Sequence, residues 1–314
     1  MAASTTEAQT PSVPAYQVVV AYLREQAQVL ARLDPKVRRG EPDALHQMRI
    51  AVRRIRSTLR AFGKVISSAG TDQLTAELKW LGSVLGAARD VEVQAGRMNE
   101  HVRQTDAEQL LGPVQARLDD HFARSAEQAR ADLMAALSSG RYHALLDAVD
   151  AAIGDPPLGP DAQPRADRIL PAAVRHNYRR TRRRFRRARH AQPGGDRDDA
   201  LHQARKAAKQ TRYAAEAAAP AVGVDASQFA RRLKKVQDAL GEHQDNVVGR
   251  ELTRKLALEA HQAGESTFTY ELFHAREASD AEQLQARAWR AWHKCTRRRY
   301  REWMDVGRAH HAHG

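Results

Sequence analysis

Leu45, Met48, Val52, Ile55, Leu59 and Phe62 recur at spacings of three and four residues. On an α-helix they share an arc of about 100°, a stripe of the width that packs into a bundle. Elsewhere Ala, Leu, Arg, Glu and Gln dominate, β-branched and aromatic residues are sparse, and no Asn-Gly or Asp-Gly turn separates alternating apolar runs. The pattern predicts an all-α protein. Asp34-Pro35, Gly40-Glu41-Pro42, Gly70, Gly112-Pro113, Gly140, Pro193-Gly194-Gly195, Pro220 and Gly264 are the expected helix breaks. The densest break is 154–164, GDPPLGPDAQP, with four Pro in eleven residues. It divides the chain into helical units at 15–153 and 165–306, with disordered tails expected at 1–14 and 307–314.

The two units resemble each other. ALHQMRIAVRRIR at Ala44 to Arg56 corresponds to ALHQARKAAKQTR at Ala200 to Arg212, displaced by 156 positions. LKWLGSVLGAARDVEV at Leu78 to Val93 corresponds to LKKVQDALGEHQDNVV at Leu233 to Val248, displaced by 155. Two blocks that keep their order and spacing indicate an internal duplication of a helical unit.

The first block carries a second stripe. With His46 at zero on a helical wheel, Arg49, Arg53, Arg56 and Arg60 fall at about −60°, −20°, −80° and −40°. This basic ridge lies beside the apolar arc and extends about 21 Å. In the second unit His202, Arg205, Lys209 and Arg212 repeat it, Lys206 widens it, and Glu216 stands where the first unit has Arg60. Like charges one turn apart cost a helix a few tenths of a kcal/mol per pair, about 0.2–0.5. A ridge that accepts several without interleaved acids suits a polyanion, whose binding relieves the repulsion and releases counterions. A further helix carries His176, Arg179, Arg180, Arg182, Arg183, Arg184, Arg186, Arg187 and Arg189 over more than half its circumference, so not all of them can face one groove. Its counterpart, Tyr16 to Leu33, has few basic residues.

Composition points the same way. The 314 residues include 51 Lys+Arg against 38 Asp+Glu, a formal charge of +13. Of the basic residues 42 are Arg, whose rigid donor fork matches phosphate oxygens. The one Cys, Cys295, excludes an internal disulfide framework and a Cys-based zinc site. No stretch is long and apolar enough for a membrane span, and Met1 to Pro14 lacks the features of a leader, so a cytoplasmic protein is expected.

With LHQMRIAVRRIR, LGAARDVEV, LHQARKAAKQTRYAAE and LKKVQDALGEHQDNVV in this order, the chain resembles the CHAD domain, the conserved histidine α-helical domain family, from about Tyr16 to Met304. The resemblance implies two pseudo-symmetric antiparallel helical bundles whose basic helices face a central groove, binding of inorganic polyphosphate, and association with polyphosphate granules. By position it implies ligand contacts at His46, Arg49, Arg53, Arg56 and Arg60, and at His202, Arg205, Lys206, Lys209 and Arg212. Lys79 and Lys234, together with Arg179 and Arg183 of the Arg-rich helix, complete the candidate set. Asp90, Asp245, Arg89 and Tyr213 are expected to be structural. Some relatives join this domain to a CYTH-type triphosphatase module, but its E-x-E-x-K signature is absent here.

Other functions compete with this one. Nucleic-acid backbones offer similar phosphates, although 17 aromatic residues, mostly at core-like spacing, provide little for base stacking. Phosphohistidine transfer would use the ridge histidines. Metal binding would use His46 and His202 with His243 and Asp245, but cations rather than carboxylates lie a turn from each ridge His. His310, His311 and His313 are read as a loose tail. Walker A, G-x-G-x-x-G, H-E-x-x-H and G-x-S-x-G patterns are missing, and Cys295 is read as buried and inert, so no enzyme activity or cofactor is expected.

Overall fold

A computed structural model describes residues 13–305. The tail histidines at 310, 311 and 313, and most of both expected tails, lie outside the described residues. The described chain is all-α: α1 (Ala15–Arg38), α2 (Ala44–Ala61), α3 (Ser68–Arg103), α4 (Val114–Leu137), α5 (Gly140–Gly154), α6 (Ala166–His190), α7 (Gly195–Val222), α8 (Val224–Gln262) and α9 (Phe268–Cys295), with short 3-10 turns before α4 and after α9.

The amphipathic stripe of α2 behaves as its spacing predicts, with Met48, Val52, Ile55, Leu59 and Phe62 buried and Leu45 half-buried against them. Asp34-Pro35 and Pro220 do not end their helices. A proline late in a helix forfeits one ladder bond, and α1 and α7 each run a few residues beyond it. The stop after α7 is Gly223, at φ +92° and ψ −148°, a conformation open to glycine that lets α8 start at the next residue.

One apolar core runs through both sequence halves. α7 is its axis. Ala204, Ala207, Ala208, Ala214, Ala215, Ala217 and Ala218 are buried on several of its faces, and their small side chains admit α1, α2, α6 and α8 around it. A second cluster, including Met98, Leu118, Leu256 and Phe273, joins the far ends of α3 and α8 to α4 and α9. The Pro-rich segment between α5 and α6 is pinned to the α2–α3 turn: Ser67 N–H donates to the Pro157 carbonyl at 2.7 Å, and Gly159 N–H to that of Val65 at 2.9 Å.

Candidate anion-binding cleft

α2 packs against α7, and both approach α6, so the basic stripes of the first two helices meet along one seam. A cavity of about 480 Å³ opens there. Its walls hold Arg49, Arg53, Arg56 and Arg60 from α2, Lys79 from α3, Arg180 and Arg184 from α6, and Lys206 and Lys209 from α7. These are nine cations, and no carboxylate is among the seventeen lining residues; Ser57, Ser83, Gln203 and Gln210 add neutral polar groups.

The second repeated block explains how two of the arginines are seated. Arg49 lies across Gly86 of α3 and Arg205 across Gly241 of α8. A Cβ on either glycine would stand 3.4 Å or 3.3 Å from the guanidinium Nη2, tighter than ordinary contact. Arg49 Nη1 donates to Asp90 Oδ1 at 3.1 Å, and Arg205 lies in the field of Asp245 and Asp90. The glycine gives an arginine a flat seat on the neighbouring helix, and the aspartate one turn later pulls on it. Tyr213 is fully buried beneath the Arg54 and Arg212 guanidinium groups, and Arg89 pairs with Glu92 at 2.7 Å.

The cations from the two halves feel one another. Burial, followed by the charges of Arg205, Arg53 and Arg49, holds the Lys209 ammonium well below the usual lysine range. Burial also lowers Arg53, helped by Arg49, Arg205 and Arg212. Arg205 is lowered by burial and by Arg49, against the pull of Asp245 and Asp90. Burial and Arg60 lower Arg56, while Arg180 is lowered by burial and then by Arg60, Arg184 and Arg183. Asp245 is pushed up by burial, more than Arg205 and Arg97 pull it down. Such mutual repulsion is energy that an incoming anion recovers.

Each remaining candidate has its own place. His46 and His202 are half-buried at the heads of their ridges, outside the cavity wall. Burial lowers both pKa values, with Arg89, Arg53 and Arg49 adding to it for His46 and Lys206, Arg205 and Lys209 for His202, so both are neutral at pH 7. In each, Nδ1 is buried without a hydrogen-bond partner among the described residues. Arg205 lies behind the wall, on Gly241. Arg212 is not brought to the cavity: it is buried, with Nε on Glu216 Oε1 at 2.7 Å and Nη1 on Gln237 Oε1 at 3.0 Å. Lys234 is exposed and pairs with Asp238 at 2.8 Å, away from the cavity that its counterpart Lys79 lines. Arg183 is exposed and lines no described cavity, and Arg179 lines an adjoining one. The residues that α6 contributes to the cavity are Arg180 and Arg184. Sequence reasoning saw both inside the Arg run, but without the packing of α6 it had no means of choosing among nine basic residues.

Two other groups belong elsewhere. His243 is buried with Nε2 3.2 Å from Asp198 Oδ1, and burial pushes the Cys295 thiol up to about 12. Among the described residues no group of three or more His, Cys, Asp or Glu could hold a metal, and no helix is long and apolar enough to cross a membrane.

The model of the CHAD domain matches residues 21–254. An uncharacterized protein of Mycobacterium tuberculosis, Rv2226 in strain H37Rv and MT2285 in strain CDC 1551, is 36% identical over 278 residues. The alignment covers 88% of this chain and 52% of the relative, so the chain spans about half the length of the curated relatives it matches. Among solved structures, PptA from Streptomyces chartreusis superposes with a TM-score of 0.74 at 22% identity, covering 90% of this chain and 100% of that one. The CHAD domain from the plant Ricinus communis gives 0.67 at 24% identity, covering 96% of each chain. At these identities the likeness to both structures is one of fold.

Proposed function

The chain belongs to the CHAD domain family, and from that premise we propose that it binds inorganic polyphosphate without transforming it, in the cleft between α2, α6 and α7. The observation that carries this reading is a cavity walled by nine cations and no carboxylate. A compact anion would engage a few of these groups. A linear chain with about one negative charge per phosphate neutralises many in sequence, its non-bridging oxygens accepting from successive Arg forks. The neutral ridge histidines suit the same ligand, because a nearby anion raises their pKa and turns them into charged donors.

Association with polyphosphate granules in the cytoplasm follows from such binding and is part of the proposal. Nucleic acid presents phosphates too, but its bases would find no aromatic residue in the cavity wall.

The test is calorimetric titration with polyphosphates of graded length, with duplex DNA and pyrophosphate as controls. Long chains should bind the wild-type protein, and DNA at comparable concentration should not displace them. Changing Arg49, Arg53, Arg205 and Lys209 together to Ala should weaken binding by at least about a thousandfold while circular dichroism still reports the helices. Unchanged binding by that variant, or displacement by DNA, would refute the proposal.

A further inference from the structure

The central cavity is the middle one of three that follow α6. At one end it shares Arg60 with a second cavity of about 480 Å³, whose walls include Lys64, His176 and Arg179. At the other it shares Arg184 and Gln203 with a third, of about 590 Å³, whose walls include Arg187 and His190. The α6 residues involved progress in order from Ile169 to His190, an axial distance of about 32 Å. We propose that the polyphosphate track does not end at the central cavity but continues along α6 into a basin at each end, so that chain length is read by α6. This rests on the function proposed above and adds to it the path of the polymer.

Three observations support the path. Of the α6 arginines on it, Arg175 at the far end of one basin pairs with Asp305 at 3.3 Å, whereas Arg179, Arg180, Arg184 and Arg187 pair with no carboxylate among the described residues. Neutralising partners are therefore left to a ligand. The charge is also graded: the central cavity has no acid in its wall, whereas the end basins contain Asp161 on one side and Asp196 and Asp199 on the other. A short chain therefore settles in the centre, and only the extra length of a long one reaches the weaker basins. Finally, the Arg run splits by direction. Arg182, Arg186 and Arg189 are as exposed and as cationic but line none of these cavities, so net charge and track membership can be varied separately.

Two triple variants remove the same charge. Lys64→Gln, Arg179→Gln and Arg187→Gln alter the two basins, while Arg182→Gln, Arg186→Gln and Arg189→Gln alter the outer face of α6. All six side chains are exposed, so both proteins should fold. At fixed ionic strength each is titrated with the shortest polyphosphate that the wild-type protein binds and with one several times longer. The basin variant should bind the long chain about tenfold or more weaker and the short chain as the wild type does. The outer-face variant should bind both to within about threefold of the wild type, the residue of a screened general field. Equal losses in the two variants would show a diffuse field rather than a track. An unchanged long-chain affinity in the basin variant, or an equal loss for short and long chains, would also overturn the inference while leaving polyphosphate binding itself standing. A wild-type protein that binds no polyphosphate of any length would remove the function and the track together.

Discussion

Lys209 is held among Arg49, Arg53 and Arg205, against the weaker pull of Asp245, and among the described residues no carboxylate forms an ion pair with it. Its pKa in the folded protein lies below the ordinary lysine value, so the unfolded chain binds that proton more tightly. The resulting penalty on folding is present throughout neutral pH and fades as pH rises toward the unfolded pKa. Lys209→Met should therefore raise stability at pH 7, by about 1 kcal/mol or a few degrees in Tm, while it weakens polyphosphate binding; calorimetric scans beside titrations check both signs. The glycine seats allow a complementary test. Alanine at Gly86 or Gly241 adds about 1 kcal/mol of intrinsic helix preference, and the Cβ displaces only the movable end of an arginine. Tm should hold or rise slightly and polyphosphate affinity should fall several-fold. A Tm loss of several degrees would instead place the glycines against a rigid wall. At this scale the sequence was partly legible: a helical wheel aligns Arg49, Arg53, Arg56 and Arg60 correctly, because a helix fixes their angles before it packs. It could not foresee that Glu216, one turn beyond Arg212, takes that arginine into the core side of α7 and out of the ridge.

Between elements, the seam of α3 with α8 and α9 closes on Glu277, which is fully buried. It accepts both Nε and Nη2 of Arg97, pairs with His101 Nε2 at 2.6 Å, and takes Asn246 Nδ2 at 2.6 Å. Burial pushes the Glu277 pKa up, but the hydrogen bonds from His101 and Arg97 and their charges pull it further down, and the net shift is downward. A depressed carboxylate stabilises the fold fully above its unfolded pKa, and that contribution is lost as pH falls through the folded value. Glu277→Gln should cost about 3–5 kcal/mol at pH 7 by leaving Arg97 without its partner. The difference from wild type should begin to shrink as pH drops below the ordinary glutamate value of about 4.3, where the unfolded chain takes up the proton first, and it should keep shrinking as the folded carboxylate follows at lower pH. Thermal melts of both proteins from pH 7 to pH 3 would show the convergence, and a constant gap would point to packing rather than charge. Nothing in the sequence announced this contact. Arg97 and Glu277 are 180 residues apart, and neither belongs to a repeated block. The α2 ridge, by contrast, is local and periodic, and could be read before any tertiary contact was known.

For the whole molecule, helix content and the excess of cations were visible in composition and periodicity, since each is a sum over many residues that no single contact overrides. The selection of nine cations for one cavity was not, because it depends on how α6 rotates against α2 and α7. That selection makes a quantitative claim about salt. When a linear polyanion is neutralised by Z cations, log K falls with log salt at a slope of about −0.7Z for a single strand. If all nine wall cations engage, the slope should be on the order of −6. Changing Arg53 and Lys206 to Gln should make it shallower by about 1.4, whereas changing Lys234, which is paired with Asp238 and lies outside the cavity, should leave it nearly unaltered. The slope counts engaged charges independently of absolute affinity, so it separates a polymer lying along the whole wall from one gripped at a few points. A wild-type value near −2 would mean that most of the wall stays hydrated, and the repulsion stored around Lys209 would then need another explanation than a ligand that relieves it.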